Sequence, residues 1–192
     1  MTHNIAVIIG STRLGRVGPT VAEWFAKLAR TDGRFEVDLV DLAEYGFPLP
    51  LGQGFPKLGQ YHPQAEAFAQ RMAAADAFVF VTPEYNHGYP ASLKSALDSI
   101  YVEWNFKPAS FVSYGGPGGG LRALEQLRQV SAELHLHDVQ ATVSIPFVSH
   151  AFDEGGNLKD AGAAKSVTAI LNQLDWWSTT LKLGREQHPF QS

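Results

Sequence analysis

Residues 77–98 read AFVFVTPEYNHGYPASLKSALD, and the order of residue types in this stretch decides the fold. Residues 77–81 form an unbroken apolar run, as expected of a strand covered on both faces. Pro83 ends that run by fixing its own backbone torsion and removing a donor. A carboxylate (Glu84), two aromatic rings (Tyr85, Tyr89), an amide (Asn86), an imidazole (His87) and a glycine (Gly88) follow. From residue 92 to 101 the pattern turns helical, with Leu93, Ala96, Leu97 and Ile100 on one face. A buried strand, a polar loop and a helix in that order are the repeating unit of a parallel α/β sheet.

The unit recurs on either side. Residues 5–9 (IAVII), 35–40 (FEVDLV), 109–113 (ASFVS) and 139–143 read as further strands. Between them, Pro19 suits the first turn of a helix carrying Val21, Trp24, Phe25 and Leu28. Residues 64–75 and 121 to about 134 are helical, and Val167, Ile170, Leu171, Leu174 and Trp177 mark a final amphipathic helix. Residues 43–63 hold four prolines and four glycines, which break any regular element. Their aromatics (Tyr45, Phe47, Phe55, Tyr61) predict an ordered, packed loop, and residues 146–157 predict a second one. Strand and helix alternate to the end, so residues 1–192 are expected to form one domain with helices on both faces of the sheet.

Composition narrows the function. The net charge of −4 and pI near 5.9 give no general attraction to nucleic acid or to an anionic membrane. With no cysteine, the chain has no disulfide, thiolate metal site or cysteine nucleophile. No run reaches the ~20 apolar residues of a bilayer span, and the first residues do not read as a signal peptide. A cytoplasmic protein is expected. His135 and His137 read as a solvated pair rather than as zinc ligands, and Asp153–Asn157 lacks the alternating oxygens of a calcium loop.

In parallel sheets of this kind, ligands sit beyond the carboxyl ends of the strands. That position selects the loops after the first, third and fourth strands, which are also the most unusual in composition. GSTRLGRVGP (residues 10–19) offers the hydroxyls of Ser11 and Thr12, the guanidiniums of Arg13 and Arg16, and N–H groups at a helix start, all suited to a phosphate. It matches neither of the glycine-rich nucleotide fingerprints, and reads equally as an ordinary turn with surface arginines. The loop at 83–90, taken alone, reads as a rigid turn whose tyrosines pack on the next helix. SYGGPGGG (residues 113–120) places five glycines beside Tyr114, a flexible loop that also lets a ligand approach. No catalytic side-chain set is recognisable, so a bound cofactor is expected to carry the chemistry.

Together, GSTR at 10–13, VTPEYNHGYPASLKSALD at 81–98 and SYGGPGGG followed by LRALEQLR resemble the NADPH-dependent FMN reductase family. The resemblance runs from about residue 4 to at least residue 143. It implies a flavodoxin-like five-stranded parallel sheet of order 2-1-3-4-5. It implies FMN as cofactor, with Ser11, Arg13, Arg16, Val17 and Gly18 around its phosphate. Pro83, Glu84, Tyr85 and Asn86 would line the ring, and Ser113, Tyr114, Gly115 and Gly116 its pyrimidine edge. Many relatives carry a hydroxyl near position 17, where this chain has valine. The implied activity is ping-pong hydride transfer from NADPH or NADH to a quinone, azo compound, free flavin or metal oxyanion. No protein acid or base and no metal is implied, and a homodimer or homotetramer is expected. An FMN-binding electron carrier without direct NAD(P)H reactivity is the alternative.

Overall fold

The computed structural model describes residues 2–47 and 54–190. Four parallel strands form the centre of its sheet: β1 (His3–Ile9), β2 (Phe35–Asp41), β3 (Ala77–Pro83) and β4 (Pro108–Tyr114). Two short strands, β5 (His137–Asp138) and β6 (Val143–Ile145), both pair with β4. The order is β2-β1-β3-β4-β5, as the resemblance implied, with β6 beside β4. The helices are α1 (Gly18–Asp32), α2 (Pro63–Ala73), α3 (Ala91–Ser99), α4 (Leu121–Glu133) and α5 (Ala161–Gln187).

The unbroken apolar runs of β1 and β3 are explained by two cores, one on each face. Ile5, Val7 and Ile9 point toward α1 and α5, where Val21, Phe25, Ile170 and Leu174 are buried. Ala6 and Ile8 point the other way, toward Phe68 of α2, Leu93 and Leu97 of α3, and Leu124 and Leu127 of α4. Fully buried Trp104 fills the middle of this second core, with its ring edge-on to Phe68 and Phe78. Alternate residues of one strand serve opposite cores because strand side chains have a period of two.

Two expected boundaries are corrected. The helix expected over residues 92–101 ends at Ser99, where Ile100 turns extended. The Trp104 indole donates to Leu97 O at 3.2 Å, which satisfies a carbonyl that helix α3 leaves open as it ends. The single fifth strand expected at 139–143 is two strands, and much of that segment lies between them. From Ala109–Asp138 to Val112–Val143, β4 advances three residues while the edge advances five. Side chains take the backbone groups in the gap: Ser110 Oγ donates to Ala141 O at 2.9 Å, and Ala141 N donates to Gln173 Oε1 at 3.0 Å.

The loop expected at 43–63 contains two short 3-10 turns, Leu42–Glu44 and Pro56–Leu58. Tyr45 and Phe47 stack on one another and meet Phe68 edge-on, while Tyr61 donates to Glu103 at 2.6 Å. Phe55, expected to pack, is instead 68% exposed. Residues 48–53 of this loop lie outside the described residues. What positions the site is the register: Ile9 lies beside Val81, and Pro83 beside Tyr114. The three loops singled out by sequence therefore leave the same edge of the sheet, side by side.

Candidate functional site

The loop after β1 is held from inside. Ser11 is buried, with its Oγ 3.1 Å from the Tyr114 hydroxyl. Arg16 makes a two-pronged contact with Asp41, at 2.6 Å on each oxygen, and donates to Ser11 O at 2.6 Å. The hydrogen bond to Asp41 raises the guanidinium pKa against the opposing effect of burial. Asp41 ends β2 and also accepts from Ala43 N at 3.0 Å, so one carboxylate fixes two loops. Arg13 stays exposed. Helix α1 then starts at Val17 with no side-chain cap and with Pro19 in its first turn. Its leading N–H groups have no intrahelical partner, an arrangement that attracts an anion.

Gly18 closes the bottom of this loop. A Cβ there would lie 2.5 Å from Ser11 Oγ, 2.9 Å from Tyr114 Oη and 3.0 Å from Ile9 Cγ2. The helix can start this close to β1 and β4 because position 18 has no side chain. Burial raises the Tyr114 hydroxyl to about 12, against a lowering from its Ser11 hydrogen bond, so it keeps its proton at neutral pH.

After β3, Pro83 is buried and Glu84 N donates to Tyr114 O at 3.1 Å. The Glu84 side chain is only 7% exposed and turns toward α4. It accepts from Arg122 N at 3.1 Å and Arg122 Nε at 2.5 Å. Burial alone would raise this carboxyl, but the Arg122 hydrogen bonds and charge outweigh it and hold the pKa below its ordinary value. Tyr85 and Gly88 exchange both backbone hydrogen bonds, at 2.8 and 3.0 Å, around the tip formed by Asn86 and His87. Both tip residues have positive φ, 51° and 69°. The unusual torsions thus fall on Asn86 and His87, whereas Gly88 sits where a Cβ would approach Gln126 Oε1 to 3.2 Å.

Asn and His enter this conformation more often than most side chains, but only glycine adopts it without cost. His87→Gly is expected to raise stability by about 1 kcal/mol, whereas His87→Ala, which keeps the strain, leaves it nearly unchanged. Thermal unfolding of the two variants checks this.

After β4, Ser113 is buried and donates to Gly119 O at 2.9 Å, and Ser144 donates to the same carbonyl at 2.7 Å. These bonds fold the glycine segment back on itself. Gly119 and Gly120 have positive φ, and a Cβ on Gly120 would come within 2.8 Å of Tyr114 N. Gly116, by contrast, has open space where a Cβ would be. Gly115 N donates to Ile145 O, while Val148 N and Phe147 N donate back to Gly115 O and Gly116 O.

A cavity of about 270 Å³ opens among the three loops. Arg13, Arg16 and Val17 line one end, Pro83, Glu84 and Tyr85 one side, and Tyr114 and Gly115 the other. Ser11, Gly18 and Ser113 lie behind its wall as buried supports, Asn86 is exposed at the turn tip, and Gly116 is exposed on its own loop. Asp41, Arg122 and Val148 belong to the arrangement and were not singled out from sequence. Asp41 had a signal, a carboxylate at the carboxyl end of a strand, whereas Val148 had none beyond lying in a loop. Among the described residues, no three His, Cys, Asp or Glu side chains cluster to hold a metal, and no helix is long and apolar enough to cross a membrane.

The cavity suits a ligand with an anionic end and a flat polar body. The family model for NADPH-dependent FMN reductases matches residues 3–150. An NAD(P)H-dependent FMN reductase of Schizosaccharomyces pombe is 43% identical over 141 residues, covering 71% of this chain and 69% of its own length. An NADPH:quinone oxidoreductase of Arabidopsis thaliana is 33% identical over 154 residues, covering 77% of this chain and 76% of its own. FerB, a flavoenzyme NAD(P)H:(acceptor) oxidoreductase from Paracoccus denitrificans, superposes with a TM-score of 0.72 at 23% identity, over 93% of this chain and 98% of its own. At that identity the last likeness speaks for the fold alone.

Proposed function

The chain belongs to the NADPH-dependent FMN reductase family, and from that premise we propose that it uses the three-loop cavity to pass hydride from NADPH or NADH, through FMN, to a quinone. It is an oxidoreductase with FMN as cofactor and NAD(P)H as reductant. The acceptor is the proposed part. Quinones lead because a relative of similar length carries that activity in its name. Azo compounds, free flavin and metal oxyanions form the wider acceptor range.

The observation that carries the reading is the uncapped start of α1, with exposed Arg13 beside it, at one end of a cavity whose other end is lined by Tyr85, Tyr114 and Gly115. The residues fit the cofactor's chemistry. The first-turn N–H groups at Val17 and Gly18 and the Arg13 guanidinium hold its phosphate. Ser11 shapes that loop from behind, while Arg16, which lines the same end of the cavity, is already paired with Asp41. Backbone at residues 83–86 lines one edge of the ring, with Glu84 fixing that backbone through Arg122. Tyr114, Gly115 and Gly116 line the other edge, with Ser113 closing the glycine segment beneath them. FMN, when bound, supplies the two-electron redox chemistry that these side chains lack. A homodimer or homotetramer in the cytoplasm completes the proposal.

The test is the visible spectrum of the FMN-loaded protein without oxygen. NADPH is expected to bleach the oxidised-flavin band, and a benzoquinone to restore it. A bound-flavin spectrum that neither NADPH nor NADH changes overturns the reading and leaves an electron carrier served by a separate reductase.

A further inference from the structure

A second cavity, of about 280 Å³, opens between the chain leaving β6 and the first turn of α5. It meets the first at a single peptide: Val148 lines the cofactor cavity and Phe147 the second. Its walls are largely apolar, from Pro146, Phe147, Leu158 and Ala163, and its polar rim holds His150, Lys159 and Asp160.

Phe147 stands out within it. The residue adopts φ 46° and ψ 48°, a left-handed conformation that a bulky side chain rarely takes, and is 59% exposed. Hydrogen bonds from Phe147 N to Gly116 O and from His150 N to Phe147 O, both 3.0 Å, hold it there. Residues kept in such conformations gather at ligand sites, where the surroundings over-determine them. The hydrogen bond to Gly116 also ties the residue directly to the cofactor loop.

Lys159 donates one hydrogen bond, to His150 O at 3.0 Å, and an ammonium has three N–H donors. Asp160, the acidic group in the same wall, is occupied in capping α5 through Gly162 N at 2.8 Å. The rim therefore offers the unused donors of Lys159 beside an exposed aromatic face, with one carboxylate, Asp160, turned to the helix start.

We propose that this second cavity receives the adenosine 2′-phosphate end of NADPH, and so sets preference for NADPH over NADH. This rests on the hydride-transfer reading above. Adenine stacks on the Phe147 ring and is backed by Leu158, since an aromatic face accepts a purine well. The 2′-phosphate meets Lys159 and His150, a point charge and an imidazole suited to phosphate oxygens. NADH lacks that phosphate and gains only the stacking.

Two variants of the FMN-loaded protein test this. Lys159→Ala is expected to lower kcat/KM for NADPH, relative to that for NADH, by about tenfold. Phe147→Gly removes the ring but keeps a residue that adopts positive φ freely, and is expected to raise KM for both nucleotides alike. Calorimetry with adenosine 2′,5′-bisphosphate gives a readout independent of turnover. Binding should weaken in both variants, whereas 5′-AMP binding should weaken only in Phe147→Gly. An unchanged NADPH:NADH ratio and unchanged bisphosphate binding in Lys159→Ala, with FMN still retained and bleached by both nucleotides, overturns the assignment of this cavity alone. Failure of both nucleotides to bleach the unmodified protein overturns the underlying reading as well.

Discussion

Alanine at position 18 is expected to weaken FMN binding about 100-fold and to leave the purified protein colourless. The added Cβ meets three neighbours at 3.0 Å or less: Ser11, Tyr114 and Ile9. None of them can yield easily. Ser11 and Tyr114 are buried and hydrogen-bonded to each other, and Ile9 is in the core. Either α1 moves away from the sheet, which displaces the N–H groups proposed to hold the phosphate, or Ser11 and Tyr114 part and leave buried hydroxyls unpaired. Overpacking of this kind costs about 1–3 kcal/mol, so the melting temperature should also fall by about 5 °C. Gly184→Ala is the control: it lies within α5 with nothing within 4 Å of the new Cβ, and should leave FMN binding unaltered. Equal FMN affinity and equal melting temperature in Gly18→Ala would show that the close approach is not needed.

The second large effect is expected at Asp41, a residue the cofactor does not touch in this account. Its pair with Arg16 is mostly buried, with the side chains 19% and 20% exposed. Asp41→Ala leaves the guanidinium without its counter-charge and removes the cap on the 3-10 turn at Leu42–Glu44. The expected loss is about 2 kcal/mol, below that of a fully buried pair because water still reaches Arg16. FMN binding should fall about tenfold as the loop holding Ser11 O loosens. Asp41→Asn keeps an acceptor for Ala43 N but not the charge, so it should fall between the two. Unfolding curves and FMN titrations on the same preparations check both quantities. Were Arg16 a direct phosphate ligand instead, freeing it from Asp41 would tighten FMN binding.

The sheet was legible because buried parallel strands are continuous apolar runs, and Ile5–Ile9 and Ala77–Val81 are such runs. The end of α3 and the break in the edge strand were not. Each depends on a side chain reaching a distant backbone group, Trp104 to Leu97 O and Gln173 to Ala141 N, and local pattern carries no trace of such a partner. The site divides the same way. Its three loops followed from strand ends and unusual composition, because a ligand position in this architecture is a matter of topology. The pairings within them did not follow. Arg16 looked free in sequence, but the carboxylate it holds is 25 residues away. Glu84 was assigned to the ring edge by resemblance, and nothing local showed that its carboxylate pairs with Arg122, 38 residues on. Residue types can be read from a string, whereas which charges have already found each other depends on the fold.

Whether the start of α1 and Arg13 grip the phosphate of FMN is decided by comparing two ligands that differ only there. Equilibrium dialysis of the cofactor-free protein against FMN and against riboflavin, its phosphate-free form, gives both dissociation constants. Several charge-assisted hydrogen bonds to the phosphate predict that FMN binds at least about 100-fold more tightly, with the gap shrinking in Arg13→Ala. Equal affinity for the two would contradict the account, because the loop after β1 would then hold no phosphate.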